Sequence, residues 1–145
     1  MNSLDYLRGL LHAFGFLNMP EANLWCEFDI IDFEKDKDPK KALASAFETE
    51  ENYITCIKKI TEENFINELH KWLNSGELMK RNMTDRRLDM EKFFFFNALK
   101  KVTQPESYGL LVFNDNTPWY MGIYFEYYLI KGAEKDYILH FIYNG

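Results

Sequence analysis

The sequence has two cysteines, four prolines, seven glycines and three histidines in 145 residues, and no apolar run long enough to cross a bilayer. Two cysteines are too few for a disulfide scaffold. The glycines form neither a phosphate-cradling loop nor a dinucleotide fingerprint. His12, His70 and His140 have no metal-ligand spacing with one another or with Cys26 and Cys56, so no metal and no cofactor is expected. An excess of positive charge is also missing. The net charge is −6, which argues against a nucleic-acid partner.

That negative charge is uneven. Residues 1–76 carry fourteen acids against eight bases, whereas residues 77–145 carry nine of each. Aromatic residues are abundant, with thirteen Phe, nine Tyr and three Trp. Such a chain repays its ordering entropy and folds. Its length suits one domain, 1–145. The opening "MNSLDYLRGLLHAFGFLN" has Asp5 and a single Arg8 and no small-residue cleavage site. It reads as an amphipathic helix rather than a leader, so the expected compartment is cytoplasmic, with both cysteines as reduced, buried thiols.

Periodicity predicts helix, strand, helices, then strands. Leu7, Leu10, Leu11 and Phe14 follow helical spacing after Ser3 or Asp5, with Gly15 as a stop. "LWCEFDIIDFE" alternates apolar and acidic residues as a strand would, with a helix as the alternative, and in the strand a β-bulge at Ile30-Ile31 would keep both halves on the same faces. Asp38 and Pro39 begin another helix. "NYITCIKKI" reads as a strand or a helical turn. Thr61, Glu62 and Glu63 start a helix with Phe65, Ile66, Leu69, Trp72 and Leu73 on one stripe and Gly76 as its end. A further helix runs from about Asp85 to Val102. From Tyr108 the period becomes two, giving three strands in an antiparallel meander. The expected class is α+β: N-terminal helices on a mainly antiparallel sheet.

Four consecutive phenylalanines, Phe93–Phe96, lie in the 85–102 helix. At 100° per residue, Phe95 shares a face with Leu88, Ala98, Leu99 and Val102, and Phe94 and Phe96 sit on its shoulders. Phe93 falls nearly opposite. It is either covered by a second layer or exposed as a partner anchor.

Two constellations offer function. Glu27, Asp29, Asp32, Glu34, Asp36 and Asp38 crowd twelve residues, and a bulge would place the first four on one outward face. Their spacing does not match a Ca²⁺ loop. As a docking surface they suit a basic protein. The other is in the meander. If Ile130 opposes Asp136, Glu126 falls across from His140 between Tyr124 and Tyr128, a carboxylate–imidazole pair fit for acid–base work or for a pH-sensitive ion pair. The expected role is a non-catalytic acidic interaction module with a basic protein partner. One version is an immunity-type inhibitor of a toxin or nuclease, and the partner contacts would come from the acidic segment and Phe93. The alternative is a small-ligand binder or enzyme using Tyr124, Glu126, Tyr128 and His140. A homodimer through the second sheet face or Phe93 is a further reading.

Overall fold

In the computed structural model, residues 3–17, 25–48, 53–74, 85–117 and 124–144 are described. Among the described residues four helices are α1 (Leu4–Leu17), α2 (Pro39–Phe47), α3 (Glu62–Asn74) and α4 (Asp85–Thr103). Five strands are β1 (Trp25–Glu34), β2 (Ile54–Ile60), β3 (Pro105–Phe113), β4 (Tyr124–Gly132) and β5 (Lys135–Asn144). They form one antiparallel sheet in the order β1-β5-β4-β3-β2. The protein is α+β, and β3–β5 are the expected meander.

The helix starts follow from their capping residues. The Ser3 hydroxyl accepts from the Tyr6 amide at 3.2 Å, Asp38 accepts from the Lys40 amide at 3.0 Å ahead of Pro39, and Thr61 accepts from the Asn64 amide at 3.1 Å. Gly15 does not stop α1, which continues to Leu17. Its role is proximity: a Cβ there would lie 3.2 Å from the Cys26 carbonyl, so glycine lets the helix settle against β1. The predicted Gly76 stop falls outside the described residues.

Both faces of the sheet are apolar, and helices cover both. On one face, Leu7, Leu11 and Phe14 of α1, Phe65, Leu69 and Leu73 of α3, and Phe95, Ala98 and Leu99 of α4 pack on Phe28, Ile30, Tyr128, Leu139 and Phe141. On the other, Ala42 and Leu43 of α2 pack with Ile54, Leu111, Tyr127, Leu129, Ile138 and Ile142. Each fully buried side chain of this size contributes about 1.5–3 kcal/mol.

Two expectations about strands are corrected. Pairing of β1 with β5 runs without interruption from Trp25↔Asn144 to Glu34↔Lys135, so there is no bulge at Ile30-Ile31. Regular alternation then sends Cys26, Phe28, Ile30, Asp32 and Glu34 to the face of α1, and Glu27, Asp29, Ile31 and Phe33 to the face of α2. The doublet is where each face changes from one character to the other. The α1 face becomes acidic there, while the α2 face becomes apolar.

The second correction is one of register. β4 and β5 pair as Lys131↔Asp136, Ile130↔Tyr137 and Tyr127↔His140, one residue away from the expected alignment. Only Ala133 and Glu134 join the strands, a tighter turn than the anticipated five-residue loop. Gly132 permits it, since a Cβ there would collide with the Thr103 and Lys135 carbonyls. A slip of one residue exchanges faces. Phe125, Tyr127 and Leu129 therefore share a face with His140 and Ile142 rather than with Leu139 and Phe141.

Candidate interaction surface

The acidic segment turns largely inward on the chain's own cations. Arg8 on α1 grips Asp29 in a fork, Nε to Oδ1 at 2.8 Å and a second nitrogen to Oδ2 at 2.9 Å, and His12 Nε2 lies 3.3 Å from Oδ1. The Ile30 amide adds a bond at 2.9 Å. Burial works against the Asp29 charge, but the Arg8 and Ile30 hydrogen bonds outweigh it and hold the carboxyl below its ordinary range.

Asp32 receives Lys135 Nζ at 2.7 Å, and Asp36 receives Lys131 Nζ at 2.6 Å, while Asp38 is occupied as the α2 cap. Glu34 is exposed. Glu27 is half-buried, with its carboxyl pushed up by burial and by Asp29 beside it. The four residues 27, 29, 32 and 34 are therefore split between two faces and do not form one outward surface.

Near this segment a shallow depression of about 470 Å³ is lined by Asp32, Phe33, Glu34, Lys35, Glu134 and Lys135. Among the described residues, no group of three or more His, Cys, Asp or Glu is placed to hold a metal ion.

Helix α4 carries a different feature. Phe95 is buried with its ring 5.9 Å from that of Phe14, and Phe96 is half-buried beneath Lys100, whose Nζ stands 5.5 Å from the ring centre. Phe93 and Phe94 are 62% and 56% exposed, and Met90 is 46% exposed. Positions 90, 93 and 94 are neighbours on a helix, so the three form one patch. Phe94, anticipated as a shoulder of the packed stripe, stands outside it. The Phe93 and Phe94 rings meet edge-on at 6.1 Å and are otherwise turned to solvent.

The proposed Tyr124, Glu126, Tyr128 and His140 group is divided by the register. Glu126 opposes Phe141, and His140 opposes Tyr127 on the other face. Tyr124, Glu126 and Tyr128 remain together on the α3 side. Glu126 accepts there from the Trp72 indole N–H at 3.0 Å and from the Tyr128 hydroxyl.

His140 is buried between Phe47 and Tyr127, with ring centres at 5.1 and 5.3 Å. Among the described residues neither of its nitrogens has a hydrogen-bond partner. Burial lowers its pKa to about 4, although Asp29 acts in the opposite direction. Its ring is therefore neutral at pH 7.

The cysteine expectation holds for one residue and fails for the other. Cys26 is buried, with its thiol pushed up to about 11 by desolvation, whereas Cys56 on edge strand β2 is exposed. Cys56 is a free thiol. Among the described residues no helix is long and apolar enough to cross a membrane.

No protein family profile matches the chain, and no curated protein does. Its fold is similar to that of citrus MAF1 in crystal structures from two space groups. In C 2 2 21 the identity is 8% and the TM-score 0.57, with 98% of each chain covered. In P 31 2 1 the identity is 9% and the TM-score 0.58, with 97% of this chain and 98% of that one covered. At such identity the likeness is one of fold.

Proposed function

We propose that this protein is a non-catalytic interaction module whose main contact is the Met90–Phe93–Phe94 patch of α4 and whose partner is a basic protein. The observation that carries the reading is the exposure of two adjacent phenylalanines on a helix that has already buried Phe95 in the core. Large aromatics left in water cost free energy that a partner's pocket recovers, and such residues dominate binding energetics. The net charge of −6 supplies attraction at a distance, raising the encounter rate with a basic surface and repelling nucleic acid. In this reading the net negative charge steers, and the α4 patch holds. An inhibitor of the immunity type, capping a basic toxin or nuclease, is one form of that role.

The test is capture from the source organism's lysate with the wild-type chain and with a Phe93→Ser/Phe94→Ser double variant, at low and at moderate salt. The expected result is a basic protein retained by the wild type, weakened by salt and lost with the double variant. Equal retention by both chains would remove α4 from the reading.

A further inference from the structure

Glu126 presents a charge that its surroundings do not neutralise. Alternation along β4 places it on the helix-covered face between Tyr124 and Tyr128. Trp72 of α3 stacks on Phe141, its cross-strand neighbour, at 5.3 Å and 11°. The Trp72 indole donates to Oε1 at 3.0 Å, and the Tyr128 hydroxyl donates to Oε2. These neutral donors satisfy hydrogen bonding, but they do not cancel charge. Among the described residues no Lys, Arg or His forms an ion pair with Glu126. A half-buried carboxylate without a counter-charge is costly. Glutamine could accept from the same two donors at a lower desolvation cost, so the presence of the charge calls for a reason.

Two tyrosines share the sheet face of Glu126. Tyr124 lies two residues along the strand from Glu126 and is 67% exposed. It is paired directly with Tyr143, the ring centres 5.9 Å apart and inclined at 46°. Tyr124 and Tyr143 thus lie on the sheet face that carries the carboxylate, and electron-rich rings near a carboxylate are a combination that attracts an organic cation.

We propose that Glu126, Trp72, Tyr124 and Tyr143 form a receptor for a cationic side chain, and that its occupant is an arginine presented by a basic protein partner. Arginine suits the site better than lysine. Its planar guanidinium stacks on a tyrosine ring while donating to the carboxylate in the same plane, and it sheds water more readily than an ammonium. The assignment shares with the proposed function only the basic character of the partner. It involves none of the α4 phenylalanines, so either can fail alone.

The test is a titration of the full-length chain with N-acetyl-arginine methylamide, followed through the indole N–H resonance of Trp72, which is identified by its disappearance in Trp72→Phe. N-acetyl-citrulline methylamide, neutral and of the same shape, and tetramethylammonium are the comparison ligands. A saturable shift with the arginine compound is expected, about tenfold or more weaker with citrulline, abolished in Glu126→Gln and reduced several-fold in Tyr124→Ala. Phe93→Ser/Phe94→Ser should leave it unchanged. Tyr124 is exposed, so its variant reports on the site even if Glu126→Gln does not fold. No saturable shift, equal binding of citrulline, or undiminished binding by Glu126→Gln would overturn the receptor. Tighter binding of tetramethylammonium than of the arginine compound would overturn arginine as the occupant.

Discussion

Asp29 stands directly across the β1–β5 pair from His140, yet its carboxylate is turned to the Arg8 guanidinium. The imidazole thus has an acid as its strand neighbour and no hydrogen bond from it. Two consequences for pH dependence follow, because one group is buried neutral and the other is held charged.

His140 has its folded-state pKa lowered to about 4, below an unfolded value near 6.5. Between those values the unfolded chain takes up a proton that the folded chain refuses. The histidine's contribution is therefore complete above about pH 6.5, falls as pH falls toward 4, and is constant below that. The fall amounts to roughly 3 kcal/mol from this residue. Urea denaturation at a series of pH values should show that slope in the wild type and a flatter one in His140→Phe. Parallel profiles would refute it.

Asp29 carries the complementary effect at lower pH. Its folded pKa is depressed, so its stabilisation is present above the unfolded carboxylate value and disappears as pH falls through the folded one. Arg8→Ala should cost about 2 kcal/mol at pH 7, the worth of hydrogen bonds to a charged group in a pair that water partly screens. The cost should shrink as pH falls through the lowered folded value of Asp29, because the protonated carboxyl needs no cation. Denaturation midpoints of the two chains at pH 7 and pH 3 would check this.

The phenylalanine run should divide sharply under mutation. Phe95→Ala should destabilise by about 3–5 kcal/mol because it empties a core position. Phe93→Ser and Phe94→Ser should each change stability by no more than about 0.5 kcal/mol, as exposed positions do. Thermal or urea unfolding separates these cases. A large loss at Phe93 would mean that the residue is structural.

Gly132→Ala tests the turn that sets the β4–β5 register. A methyl group there collides with the Thr103 and Lys135 carbonyls, both backbone atoms without freedom to retreat. The neighbouring Lys35 bond to the Gly132 carbonyl, at 2.6 Å, would shift with it. A loss of about 2–4 kcal/mol is expected, in the range of strained-backbone substitutions. A variant as stable as the wild type would show that the hairpin has room to adjust.

The sequence by itself determined most of the elements and their type, leaving residues 52–60 open between a strand and a helical turn. Asp38-Pro39 and Thr61-Glu62-Glu63 start helices wherever they occur, since the caps act within four residues. The alternation after Tyr108 makes strands for the same local reason. It also marked Phe93 as lying outside the packed stripe, because winding a helix requires no knowledge of its neighbours, but it placed Phe94 on a shoulder of the stripe, where the structure leaves it exposed.

Tertiary structure decided what each strand faces. Glu126 and Asp29 are both acids on strands near an imidazole, and only the Gly132 turn and the β1–β5 pairing select Asp29 as the neighbour of His140. The Ile30-Ile31 doublet fits a bulge as well as a change of character between faces. The choice depends on α1 covering one half of β1 while α2 packs on the other face. Whether the acids of residues 27–38 meet solvent or Arg8, Lys131 and Lys135 was likewise set by chain segments distant in sequence. Local patterns arise from short-range sterics and hydrogen bonds, whereas the β1–β5 pairing and the charge pairs of the acidic segment depend on contacts that exist only after distant parts of the chain have come together.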